Sequence, residues 1–198
     1  MENSYSRSRM VFPGRLEESG LGHNGKGRWF RVFAVCVDLE TGKIEHDIKV
    51  FDVANPQTEY NNLNTHATPT PIIEEGRIYV HFGSYGTACL DTKTGKKLWK
   101  RRDLNCDHRV RAASCPIIDG GLLFLTYDGV DQQFVAALEK KTGETRWLTK
   151  RTYKSGLVPT KDKPNDNRKS YATPTIIEHD GKKQLLARPQ RQLIPTIR

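Results

Sequence analysis

The sequence predicts an all-β chain built of repeated antiparallel sheets, and three observations predict it. A turn cassette recurs with its Thr-Gly pairs at 41–42, 94–95 and 142–143. A second cassette, carrying a proline, an Ile-Ile pair and a glycine, begins at Thr68, Ser114 and Ala172. Between them lie short runs, roughly five or six residues each, that alternate apolar and polar positions, the period expected where side chains point to opposite faces of a sheet. Self-similarity at a spacing of tens of residues marks a repeat architecture. Short strands separated by turn signals argue against βαβ units.

Each unit opens on its Pro-Ile-Ile run, as in "TPTPIIEEGRIYVHF" from Thr68. In "RIYVHF", Ile78, Val80 and Phe82 alternate with Tyr79 and His81. The matching "LLFLTY" from Leu122 is more continuously apolar, as a strand covered on both faces would be. The next strand ends on an acid, Asp38, Asp91 or Glu139, followed by the Thr-Gly turn. Gly42, Gly95 and Gly143 suit the left-handed position of a short hairpin loop with a bulge, which penalises any residue with a Cβ. The acid can accept hydrogen bonds from turn amides or the Thr hydroxyl. Because all three acids share that context, they read as structural and not as general acids or bases.

Cys36 and Cys89 stand just before the acid where the third copy has Ala137, an exchange that suits a small buried filler. The final strand carries Trp99 or Trp147, with His46 or a neighbour in the first copy. A large aromatic once per unit suits the space between adjacent sheets, so both tryptophans are expected in the core.

Two units are full, Thr68–Asp103 and Ser114–Thr152, flanked by the end of an earlier unit and the start of a later one. The repeat region is read as 32–186, between an irregular N-terminal segment, 1–31, and an irregular tail, 187–198. Both ends read as cut from a longer ancestor, with open blade edges available for self-association.

The 198 residues are 36% hydrophobic and 28% charged, a globular balance. The formal net charge of +9 favours anionic partners, but the cations are scattered and no nucleic-acid-binding module is present, so specific nucleic-acid binding is not expected. The longest apolar run, Val32–Val37, is far short of the roughly 20 residues of a spanning helix. The first residues lack the apolar core and small-residue cleavage site of a secretory signal. Four cysteines without a CxxC do not make a disulfide framework, although Cys106 and Cys115 could pair in an oxidising compartment.

The stretch "GRIYVHFGSYGTACLDTKTGKKLWK" resembles the repeat of pyrroloquinoline-quinone-like (quinoprotein-like) β-propellers, over roughly Val35–Leu186. That resemblance implies a partial propeller of four-stranded antiparallel blades, from a bacterial periplasmic or envelope protein. Function has to be argued from a site and not from a fold. The first expectation is a non-catalytic scaffold that binds a protein or a small ligand. The alternatives are a fragment of a quinone-dependent dehydrogenase and a sensor or carbohydrate-binding propeller. Quinone with calcium is expected only in a complete quinoprotein, and the adjacent-cysteine pair that covers the quinone in many of those enzymes has no counterpart here.

Chemically dense loops supply the remaining candidates. "RRDLNCDHRVRAASC" gathers Asp103, Asn105, Cys106, Asp107 and His108, of which Asp107 and His108 are candidate ligand contacts. A zinc site needs about four ligands, and no partner pair is evident nearby. "YDGVDQQ", 127–133, and "KDKPNDNRKS", 161–170, lack the ligand order of a calcium loop and read as turns. His66 and Tyr171 share an address ahead of equivalent Ala-Thr-Pro strings and read as packing residues.

Overall fold

A computed structural model describes residues 9–18 (backbone only), 29–54, 56–57, 64–108, 111–151 and 169–187. Among the described residues there is no α-helix, only a single 3-10 turn at Gly83–Tyr85. The described residues hold thirteen strands in four antiparallel sheets. Blade 1 holds β1 (Arg9–Glu18), β2 (Trp29–Asp38) and β3 (Ile44–Ala54), in that spatial order. Blade 2 holds β4 (Ile72–Glu74), β5 (Arg77–His81), β6 (Thr87–Asp91) and β7 (Lys97–Arg101), each beside its successor. Blade 3 repeats this with β8 (Ile117–Asp119), β9 (Leu122–Asp128), β10 (Gln133–Glu139) and β11 (Thr145–Lys150). A fourth sheet has β12 (Thr175–His179) and β13 (Lys182–Leu186).

The segment before residue 32, expected to be irregular, contributes β1 and the start of β2. The missing cassette was a poor guide because backbone groups on β2 need partners whatever the side-chain pattern beside them, and β1 supplies them from Arg9 to Glu18. The last strand ends at Leu186; of the expected tail only Ala187 is described.

Alternation works on both faces of blade 2. Ile78, Val80, Phe82, Ala88 and Leu90 pack with Phe30, Val32, Cys36 and Phe51 of blade 1. The residues between them, Tyr79 and Cys89, turn the other way and join Trp99, Leu123, Leu125, Tyr127, Phe134 and Leu138 in a second core against blade 3. Period two therefore builds two cores from one sheet, each apolar side chain contributing about 1.5–3 kcal/mol when fully buried. Cys36 and Cys89 are 3% and 0% exposed and Ala137 is 0% exposed, as small fillers of one repeat position.

The three hairpins share one register. Cys36 pairs with His46, Cys89 with Trp99 and Ala137 with Trp147, and each ladder then skips one residue, Glu45, Leu98 or Arg146. That bulge follows from the glycine turn: Gly42, Gly95 and Gly143 have φ of 70°, 68° and 77°, and their amides donate to the carbonyls of Asp38, Asp91 and Glu139. His46 is thus the structural equivalent of the two tryptophans.

Candidate binding site at the blade junctions

The acids of the turns act as expected in two copies of three. Asp38 Oδ1 accepts from the Thr41 amide and hydroxyl, both at 2.8 Å. Asp91 Oδ1 accepts from the Thr94 amide at 2.7 Å and hydroxyl at 2.8 Å, and these bonds hold its carboxyl below the usual range. Glu139 does not make this turn bond. Its longer side chain reaches Arg146 at 3.7 Å instead, and Thr142 bonds Glu144. The hairpin is still closed by backbone bonds, Glu139 N–H to Glu144 O at 2.8 Å among them.

These turns are where blades interlock. Trp99 lies over Gly143 of the next blade, so that a Cβ built there would stand 2.7 Å from the indole. Its Nε1 donates to the Lys140 carbonyl at 2.8 Å, and Arg101 donates to Gly143 O at 2.8 Å and to Thr145 Oγ1 at 2.6 Å. At the preceding junction Ile48 and His46 take the same place over Gly95, with Ile48 Cδ1 at 2.7 Å from the corresponding Cβ. Beneath the interlock, Tyr79 donates to Glu74 at 2.6 Å and Lys140 pairs with the same carboxylate at 2.6 Å.

Trp147 departs from the expectation of a core residue. It is 36% exposed against 9% for Trp99, and it touches Phe124 of its own blade. Every residue of β11 is exposed. The fourth sheet covers only the inner part of this face, through Ser114 to the Ala172 carbonyl, Cys115 to Thr173 and Lys183 to Asp119. The physical reason is the missing neighbour: Trp147 has the position and register of Trp99 but no described Thr-Gly turn to lie on.

At the inner end, the loop after β7 brings Cys106 and His108 into the core while Asp107 stays exposed. His108 Nε2 lies 3.4 Å from Cys106 Sγ, its amide donates to Gln57, and its ring stacks near Tyr127. The Asp107 amide donates to Asp131 Oδ1 at 2.8 Å, which ties the loop to the β9–β10 turn. The two candidate contacts therefore diverge, one to solvent and one to the interior. In the "YDGVDQQ" turn Asp128 is 2% exposed and ion-paired with Arg151, so it serves the hairpin. Residues 161–168 of the other candidate loop lie outside the described residues.

Burial sets the chemistry of this cluster. It pushes the His108 imidazole down to about 3, helped by Lys169 and His81, and His81 down to about 4. It pushes the Cys106 thiol up to about 12, with the Ser84 hydroxyl opposing, and Cys89 up to about 11. Neutral imidazoles beside protonated thiols pack; they are poorly matched to nucleophilic or proton-transfer work at pH 7. Cys106 and Cys115 are both thiols, Cys106 beside His108 and Cys115 accepting from the Thr70 amide. His66 is buried against Phe30 at 4.2 Å, whereas Tyr171 is exposed beside Lys169. Gln57, His66, Tyr85, His108 and Arg111 border a cavity of about 10 Å³, space for one water at most.

Stacked four-stranded antiparallel sheets, locked at their outer turns and packed at their inner ends, define a β-propeller blade array. The model of a protein family described as "Outer membrane protein assembly factor BamB" matches residues 25–154. The chain belongs to this family of pyrroloquinoline-quinone-like repeat proteins. Among solved structures it is similar to BamB from Moraxella catarrhalis, at 17% identity and a TM-score of 0.51, over 81% of this chain and 44% of that one. It is also similar to the quinohemoprotein alcohol dehydrogenase ADHIIG from Pseudomonas putida HK5, at 16% identity and a TM-score of 0.47, over 76% of this chain and 23% of that one. A europium-containing methanol dehydrogenase aligns at 15% identity and a TM-score of 0.41, over 71% of this chain and 27% of that one. The chain thus spans under half the length of each of these structures. No curated protein matches it.

The inner cavity has room for one water, and among the described residues no three His, Cys, Asp or Glu side chains gather as a metal site. Among them, too, no helix is long and apolar enough to cross a membrane. Sequence reasoning missed the exposed face of blade 3.

Proposed function

We propose that this chain is a non-catalytic propeller scaffold of the bacterial envelope that binds a protein partner in outer-membrane protein assembly, with self-association at its open edges. The observation that supports it most directly is the fate of the reactive side chains. His81, His108, Cys89 and Cys106 are buried in the blade junctions, and Asp38 and Asp91 are spent on turns. What remains exposed is broad sheet surface, the kind of area repeat stacks offer to partners. Family membership supports the envelope and the assembly role.

Binding of the purified chain to outer-membrane protein assembly components, measured by interferometry, tests the reading. Saturable binding, with no dye reduction after addition of quinone and calcium, is the expected result. Quinone-dependent dye reduction, or saturable binding to a sugar panel in place of the assembly components, would overturn it.

A further inference from the structure

At the inner end of blade 2, three connections meet around the one-water cavity. Gln57 and His66 reach it from the β3–β4 connection, Tyr85 from the 3-10 turn between β5 and β6, and His108 and Arg111 from the β7–β8 connection.

One donor in this cavity has no acceptor. The Ser84 hydroxyl gives its hydrogen to the Cys106 carbonyl at 2.6 Å and accepts from the Cys106 amide at 3.0 Å. Burial pushes the Cys106 thiol up to about 12, so it keeps its proton. The nearer acceptor for that S–H is His108 Nε2 at 3.4 Å, against Ser84 Oγ at 3.9 Å. The imidazole, pushed down to about 3 by its burial, carries a single proton, and with Nε2 accepting that proton sits on Nδ1. His108 is 7% exposed, and its Nδ1 forms no hydrogen bond with any described residue. A buried N–H without an acceptor is costly, which points to an acceptor in the cavity.

The lining favours a negative one. Arg111 borders the cavity from a left-handed backbone, φ 70°, and gives one guanidinium N–H to the Asn64 carbonyl. Both ends of the Gln57 amide are engaged, Nε2 with the Cys106 carbonyl at 2.8 Å and Oε1 with the His108 amide at 3.1 Å. His66 is held between Phe30 and Tyr85. Lys169, 1% exposed, adds positive charge that bears on His108. Among the described residues no carboxylate borders the cavity; Asp107 turns to solvent, and Asp131 accepts its amide.

We propose that this cavity is a monatomic anion site that holds one chloride ion between His108 Nδ1 and the Arg111 guanidinium. A water there has to place two hydrogens of its own among groups that mainly donate, whereas chloride only accepts. The volume excludes carboxylate, sulfate and phosphate, and the half-buried Arg111 side chain yields the small difference between a water and a chloride. The bound ion ties the three connections together and so fixes the loops at the inner end of blade 2.

The site is independent of the scaffold reading and is tested on the 198-residue chain without a partner. With ionic strength held constant by gluconate, the melting temperature is expected to rise with chloride and saturate, by about 3–6 °C at roughly ten times the dissociation constant. Bromide is expected to substitute, and crystals soaked in it should show an anomalous peak within hydrogen-bonding reach of His108 Nδ1. Arg111→Asn, chosen because Asn tolerates the left-handed region, is expected to lose both responses with unchanged circular dichroism. If that variant does not fold, the bromide peak in the unmodified chain decides. No saturable rise with chloride, an equal rise in Arg111→Asn, or a cavity that holds only water in the bromide-soaked crystals would overturn the anion site.

Discussion

The junction between blades 2 and 3 and the far face of blade 3 are built from the same repeat positions, yet among the described residues one is sealed and the other open. Trp99 is 9% exposed with its indole bonded across the junction; Trp147, in the same register, is 36% exposed. The residue type sets what a position can do, and the neighbouring turn decides whether it does it. A repeat tryptophan is a core residue only when another blade's glycine lies beneath it.

The sharpest way to break that comparison is truncation. Trp99→Ala is expected to cost about 3–5 kcal/mol, the range for removing a buried large aromatic. Trp147→Ala should cost the folded chain about 1 kcal/mol or less, as surface changes do. Urea unfolding of both variants under conditions that keep the chain single would measure the gap, and equal losses would refute it.

Acid probes the buried histidines of the sealed side. His81 is buried, 2.8 Å from Thr87 and facing Tyr127, and its folded value of about 4 lies below the ordinary 6.5. Between those values the unfolded chain binds more protons, so its contribution is full above about pH 6.5 and is lost as pH falls towards 4. His108 extends the loss to about pH 3. Melting temperature should therefore drop between pH 6.5 and 4, and His81→Gln should flatten the slope while lowering stability at neutral pH.

Glycine substitutions sharpen the contrast at smaller amplitude. Gly143→Ala places a methyl 2.7 Å from the Trp99 ring at φ 77° and is expected to cost about 2–3 kcal/mol, overpacking added to backbone strain. Gly42→Ala has strain alone, at φ 70° with open space around it, and about 1 kcal/mol is expected. Differential scanning calorimetry on the pair gives the crowding contribution by subtraction. Ile48→Ala falls between the two glycine substitutions. This residue is half-buried over Gly95, and about 1–2 kcal/mol is expected, below the range for a fully buried isoleucine.

Much of the fold could be read in advance because repeats carry their own internal control. The Cys36, Cys89 and Ala137 exchange pointed to a buried filler, and Gly42, Gly95 and Gly143 pointed to left-handed turns. Three readings failed for physical reasons. Glu139 matched its aspartate counterparts as an acid, but one methylene takes its carboxylate past the Thr142 hydroxyl. Trp147 matched Trp99 in sequence, but burial depends on a neighbour that no local pattern encodes. β1 lacks the cassette and was invisible, since strand pairing is a backbone demand. At the inner end the composition of the loop around Asp107 and His108 was visible, but the sequence could not show that the imidazole turns inward while its neighbour faces water.

The common hairpin register has an evolutionary corollary. From filler to aromatic, each hairpin runs ten positions, 36 to 46, 89 to 99 and 137 to 147, with the bulge at the same step. Hairpins of equal length and equal kink are exchangeable cartridges. Unequal crossing-over between any two of their coding segments would lengthen or shorten the array by whole blades without shifting a single strand partner.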